Sequence, residues 1–351
     1  MPFRKKHTSS TTKLLVVVLI LIAIAIIARK PQVAADASEP TSTESDLAEI
    51  YAEQTKRIQD NADTEKHDTP SKVDYPSSGA FTRAQLAQYA SSLSGLKAMA
   101  LKTAASQLMQ PKKVLNYGNG EDATWWGFWY TDRINTTTNE CFNRYSEDKF
   151  YFSAHDGRRI EGMNIEHSFP KSWWGGSSEV DAYKDLFNLY PSDAAANRDK
   201  SNYAMGHVEV VKSSAGEGYD LVGRGRAGGK QMIMLWEPGD LFKGEFARSY
   251  FYMATTYQDY TWQGQRALQE LENNTWPTLQ EWAYTLYLKW VELDPVDEVE
   301  IARNQAVYKI QDNRNLFIDY PHLCDYIWGD STDVPFNPYT SVTTASDDDR
   351  Y

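Results

Sequence analysis

The chain has 351 residues, 41% hydrophobic, 24% charged and 13% aromatic, and its 36 Lys and Arg against 48 Asp and Glu leave a formal charge of −12. That length corresponds to about two domains on a soft prior. The composition excludes whole-chain disorder, a collagen-like fibre, a disulfide-dense miniprotein and a polytopic membrane protein. The acidic balance argues mildly against a general polyanion binder, but much of it sits near the ends, in residues 36–70 and in Asp347, Asp348 and Asp349.

Arg4, Lys5, Lys6 and Lys13 precede an unbroken apolar run from Leu14 to Ala28. This run is long for a signal h-region and short for the ~20 residues of a membrane span. Residues 1–30 are therefore expected to be a signal peptide or an N-terminal membrane anchor. Either would engage the membrane or the export machinery and place the remainder outside the cytoplasm, whether secreted, periplasmic or anchored. Residues 31–80, rich in Ser, Thr, Asp, Glu and Pro, read as an acidic disordered linker. A folded domain is expected over 81–335 and a disordered acidic tail over 336–351. The two cysteines, Cys141 and Cys324, are too few to build a thiolate zinc site alone; export would permit them to pair, which the sequence leaves open.

Within the folded region Ser94 can cap a helix in which Leu96, Ala100, Ala104 and Leu108 recur, with Pro111 beyond its end. The aromatic run Trp125, Trp126, Phe128, Trp129 and Tyr130 reads as a buried strand or turn. Lys149 to Ile165 reads as a hairpin turning at His155-Asp156-Gly157. Pro191 suits the first turn of a helix continued by Ala194, Ala195 and Ala196. Gly223 to Lys230, which holds Arg224 and Arg226, reads as a flexible basic loop able to hold a phosphate backbone, with a solvated turn as the alternative. Helices follow over 244–255, 279–291 and 295–311. Strands and a short helix inside a mostly helical shell make an α+β fold.

The chemistry concentrates in Glu166-His167-Ser-Phe-Pro170-Lys171, then Asp185-Leu-Phe-Asn188-Leu-Tyr-Pro191, then Asn197-Arg198-Asp199-Lys200-Ser201-Asn202-Tyr203. Glu-His alone is a weak signal, more often a surface pair than a catalyst. Neighbours in a strand point to opposite faces, so Glu166 and His167 can serve one site only where the strand ends or bends, and Pro170 makes a bend reasonable. Carboxylate and Asn carbonyl oxygens are hard donors of the kind Mg²⁺ accepts. Asn197, Lys200 and Ser201 lie at i, i+3 and i+4, which sets a metal ligand beside a cation and a hydroxyl able to bind phosphate.

These blocks, in this order, resemble the bacterial endonuclease I family of the ββα-metal (His-Me finger) nucleases. The likeness extends through Lys243 to Met253 and Arg303 to Asp319, covering about residues 85–330. The resemblance implies a ββα-metal hairpin and helix inside the helical shell. It implies His167 as general base and Glu166 and Asn197 as ligands of one divalent cation, Mg²⁺ first, with Mn²⁺ or Ca²⁺ as alternatives. Asp185 and Asn188 would support the site. Lys200 stands where the family usually carries Arg, Leu316 replaces a usual Pro, and Tyr320 a usual His. The family's phosphate-clamping Arg has no evident counterpart, so Lys171 and Arg198 join Lys200, Ser201 and Asn202 as phosphate-binding candidates.

The reading that follows is an exported, sequence-nonspecific endonuclease, acting as a monomer on DNA, with RNA as an alternative, and leaving 5′ phosphates. Trp173 and Trp174 could stack on bases, but a packed core is the better reading of them. The rival function is a non-catalytic cell-surface protein that binds glycan or nucleic acid on the same scaffold.

Overall fold

The computed structural model of the protein describes residues 81–229 and 231–351. The expected signal peptide or anchor and the acidic linker lie outside the described residues. Among those residues no helix is long and apolar enough to cross a membrane. The elements run α1 (Arg83–Tyr89), α2 (Ala98–Met109), α3 (Thr124–Thr131), β1 (Arg133–Asn135), β2 (Glu140–Cys141), β3 (Phe150–Tyr151), β4 (Met163–His167), β5 (Leu189–Asp193) and α4 (Ala194–Lys200). Then come β6 (Ala204–Met205), β7 (Val210–Ser214), β8 (Leu221–Ala227), β9 (Gln231–Glu237), α5 (Lys243–Thr256), α6 (Gly264–Leu268), α7 (Glu281–Leu293), α8 (Glu298–Gln311), α9 (Leu316–Asp319) and α10 (Leu323–Ile327). Helices surround three small sheets, β1-β2-β3, β4-β5 and β6-β9-β8-β7. The α+β class read from the sequence holds.

All fourteen residues of α5 are buried. A helix apolar on one stripe can face solvent, but one enclosed on every side must satisfy its polar groups internally. Here ion pairs do so. Arg144 Nε donates to Glu245 Oε1 at 2.7 Å, and its Nη1 to Asp132 Oδ1 at 2.8 Å; Arg303 Nε reaches the same Asp132 oxygen at 3.1 Å. Arg248 pairs with Glu300, and Lys243 with Glu237 and Asp240. The apolar side of α5 packs on α2, α7 and α9, with Phe246, Tyr250, Phe251, Tyr252 and Met253 all inaccessible.

The buried face of α2 is Leu101, Lys102, Ala105, Ser106 and Met109, one residue round from the expected face, and Ser94 does not cap it. Lys102 explains the rotation: its ammonium donates to Ala254 O, Gln258 Oε1, Thr275 O and Thr278 Oγ1 at 2.8–3.0 Å. Burial pushes its pKa down to about 7, while the four oxygens favour the charged form.

Five other expectations are corrected. The aromatic run is helix α3, whose i, i+3 pair Trp125 and Phe128 enters the core. The expected hairpin over 149–165 does not form: β3 pairs with β2, and β4 pairs antiparallel with β5, with Ile165 opposite Pro191 and His167 opposite Leu189. Pro191 thus lies in a strand rather than opening a helix. Each strand of a two-stranded sheet is an edge, where a missing N–H is tolerated. The Gly-Arg-Gly-Arg segment is strand β8, not a loop. Its Gly225 is required because a Cβ there would sit 1.9 Å from His207 O. The 336–351 segment is docked rather than free: Phe336 and Thr343 are fully buried, Thr344 N donates to Asp319 O, and Asp348 takes both Arg350 and Thr343. Cys141 and Cys324 are buried free thiols.

Glu270 ties α7 to β6. Its Oε2 accepts Met205 N at 2.7 Å, and its Oε1 lies 2.7 Å from Tyr287 Oη, which itself donates to Met205 O at 2.9 Å. One hydroxyl proton cannot serve two acceptors, so the set closes only when Glu270 carries a proton and donates to the tyrosine. Burial pushes its pKa up to about 8 in agreement. A raised folded-state pKa means that the contribution is whole below the unfolded value of ~4.3 and is lost as pH rises towards 8. Urea melts across that window should show falling stability, and Glu270→Gln should flatten the slope; an equally steep slope in the variant would exclude Glu270 as its source.

Candidate active site

Strand β4, the start of the connection after it and helix α4 border a cleft of about 620 Å³, lined by residues that include Tyr117, Asn119, Arg159, Glu166, His167, Lys171, Asn197, Arg198, Ser201 and Asn202. Asp193 caps α4 by accepting Ala195 N and Ala196 N, so the helix leaves the strand at a fixed angle and presents Asn197 to the cleft. The structure therefore brings the expected Glu166, His167 and Asn197 to one opening.

His167 is 5% exposed and packed between Tyr117, with ring centroids 5.5 Å apart and nearly parallel planes, and Tyr183 at 4.7 Å. Its Nε2 lies 3.0 Å from the Tyr183 carbonyl. A carbonyl accepts only, so Nε2 carries the proton and Nδ1 keeps the lone pair. Burial pushes its pKa down to about 3, against the pull of the Tyr183 carbonyl and with Lys171 and Lys200 adding to the drop. The ring is neutral across the physiological range.

Glu166 is buried beside it, and Lys200 Nζ donates to its Oε1 at 2.9 Å and to Ser168 O at 2.9 Å. Burial raises the carboxyl pKa and Lys200 pulls it back. Lys200 is fully buried, which corrects its expected role: it cannot reach a phosphate. Ser201 and Asn202 do line the cleft, but both contact Arg266 from α6, and Asn202 Nδ2 donates to Ser172 Oγ at 2.8 Å. Trp173 and Trp174 are buried in the core, so neither offers a face for stacking.

Asp185 and Asn188 are fully buried and shape the 168–188 connection between the strands. Asn188 bonds both Phe169 N and Phe169 O across its base. Asp185 accepts the hydroxyls of Tyr252 and Tyr257, Gln311 Nε2 and Phe187 N; burial raises its pKa, and these four donors offset the rise. Tyr250 from α5 donates to Ser168 O. The two feet of the connection are thus bolted to the central helix and α8, while its tip, residues 175–179, is exposed.

Three cations of the lining, Arg159, Lys171 and Arg198, have no ion-pair partner among the described residues, whereas its one carboxylate, Glu166, is already paired. The cleft is locally basic on an acidic chain. Arg159 and Arg266 escaped the sequence reading because neither adjoins the motif blocks; an arginine closely preceding a Glu-His pair was the one available signal. Among the described residues no three His, Cys, Asp or Glu side chains gather for a metal. The Glu166 carboxylate plus the Asn197 amide is nevertheless a hard-oxygen pair suited to a cation that shares its shell with substrate and water.

Residues 98–322 match the family model described as Endonuclease I. An extracellular ribonuclease of Bacillus amyloliquefaciens is 30% identical over 249 residues, 68% of this chain and 78% of its own length. An extracellular ribonuclease of Bacillus subtilis (strain 168) is 33% identical over 180 residues, 49% of this chain and 56% of its own. An extracellular deoxyribonuclease of Aeromonas hydrophila is 26% identical over 135 residues, 38% of this chain and 49% of its own. Every cleft-lining residue falls inside the matched span.

Proposed function

Since the chain belongs to the endonuclease I family, we propose that it is an exported, metal-dependent endonuclease that hydrolyses phosphodiester bonds of DNA and RNA without sequence preference. The observation that carries this is one basic cleft shared by a neutral imidazole, a carboxylate and an amide. Export and both substrate classes rest on the printed names of the relatives, which are extracellular and include ribonucleases and a deoxyribonuclease.

In this reading His167 Nδ1 takes a proton from a water molecule. The water oxygen bonds to phosphorus, and the bond to the 3′ oxygen breaks; that oxygen takes a proton from solvent, so the products are a 3′ hydroxyl and a 5′ phosphate. The ring's low proton affinity in the free protein makes it a weak base, and the negative charge of an arriving phosphodiester beside it raises that affinity. Glu166 and Asn197 would hold a divalent cation, Mg²⁺ first. When bound, that cation supplies positive charge against the charge developing on the phosphate and leaving oxygen. Lys200 fixes Glu166 from beneath, and Lys171 and Arg198 face the phosphate from the rim. The same arrangement speaks against a non-catalytic binding protein, which needs no neutral imidazole beside hard-oxygen donors.

The test is digestion of matched DNA and RNA with Mg²⁺, then with EDTA. Cleavage of both that stops with EDTA is expected. Cleavage indifferent to EDTA would remove the metal from the mechanism, and no cleavage of either polymer would remove the function.

A further inference from the structure

Arg159, on the cleft wall, is joined by a short turn to a second feature. The chain turns at Gly157, whose φ of +69° and position 2.2 Å from Gly120 O at the would-be Cβ exclude a side chain, and Gly120 N donates to Gly157 O at 2.9 Å. The turn is thereby pinned to the loop that carries Tyr117 and Asn119 into the cleft. Arg158 folds back onto Asp156 at 3.1 Å, whereas Arg159 is exposed on the cleft wall with no partner among the described residues. Two residues before Gly157, His155 lies against α3. Its ring stacks on Trp126 and Trp129, each at 5.1 Å with planes 28° and 15° apart, and meets Tyr130 edge-on at 4.7 Å. Tyr130 is 43% exposed, His155 Nε2 is buried with no hydrogen-bond partner, and the Arg133 guanidinium lies 3.9 Å from the centre of the Trp129 ring.

A cluster of flat rings whose Trp126 and Tyr130 members reach the surface, near an unpaired guanidinium, matches how proteins hold single-stranded nucleic acid: cations on the backbone, aromatic faces under the bases. From Arg159 to His155 the chain spans at most about 14 Å, roughly the length of four stacked nucleotides at ~3.4 Å each. We propose that α3 and the 155–159 turn form a subsite for an unpaired strand flanking the cut, with Arg159 on a backbone phosphate and the outer rings of the cluster, Trp126 and Tyr130, taking a base, while His155 and Trp129 back them from beneath. The proposal rests on the nuclease reading and deepens it, because duplex bases, stacked on one another, cannot use the platform.

The test uses the full chain with labelled single- and double-stranded oligonucleotides, reading KM and kcat with Mg²⁺ and binding by fluorescence anisotropy in EDTA. Arg159→Ala should raise KM about tenfold on both, with a smaller change in kcat, and should lower the salt slope of binding by about one. Trp126→Ala should raise KM about tenfold on single strands and leave duplex cleavage unchanged. Trp126→Leu, which keeps apolar volume but loses the flat face, should behave likewise and guards against misfolding. Arg158→Ala should behave as wild type. An unchanged single-strand KM in either Arg159→Ala or Trp126→Leu overturns the subsite. A wild type that binds single strands but cuts nothing overturns the nuclease reading instead, and the anisotropy comparison then judges the subsite alone.

Discussion

His167→Ala is expected to lower kcat by about 10²- to 10⁴-fold, the range for loss of a positioned general base, while KM and the melting temperature stay close to wild type. The reasoning is geometric. The Tyr183 carbonyl occupies Nε2, so Nδ1 alone is left to accept a proton, and the ring is held flat against Tyr117. Among the described residues the other histidines are engaged elsewhere: His155 is stacked in the α3 cluster, His207 is buried against Glu237, and His322 lies beside Asp325. Steady-state kinetics on a short oligonucleotide, with a thermal melt of the same sample, check this. Undiminished turnover in a folded variant would move the base to another group.

The largest stability effect is expected at Asp132. Its carboxylate is fully buried and accepts from Arg144, Arg303 and Thr131, and these partners hold its pKa below the usual range against the opposing effect of burial. Asp132→Ala leaves two guanidinium groups sharing Glu245 as their nearest counter-charge. Removing one partner from a buried ionic set costs about 3–5 kcal/mol because the remaining charge is uncompensated. Urea denaturation should report that loss. A change under about 1 kcal/mol, the scale of an exposed pair, would mean that water reaches the set. Arg303 also donates to the carbonyls of Leu186 and Leu189, so the variant should loosen the entry into β5 as well, and with it the cleft.

What was legible in the chain was local. Glu166, His167 and Asn197 sit in short blocks whose spacing survives folding, and the helices expected over 244–255, 279–291 and 295–311 form close to those bounds. What was not legible depended on distant approach. Lys200 looked like a surface cation on a helix face, but β4 lies beneath α4, and the ammonium was drawn to Glu166. The glycines of β8 suggested a loop, yet they are there because the 207–210 segment crosses too closely for a Cβ. Arg266 reaches Asn202 across 64 residues. The aromatic run could not declare itself a helix on propensity alone, since large rings favour strands; only the i, i+3 burial of Trp125 and Phe128 shows the period.

The 168–188 connection has anchored feet and an uncommitted crown. Length changes at residues 175–179 would leave Asn188, Asp185 and the ring of His167 where they are, since long insertions between fixed ends add little entropic cost. A foreign recognition module spliced there would overhang the cleft without disturbing it, which makes the scaffold a chassis that can be given an address.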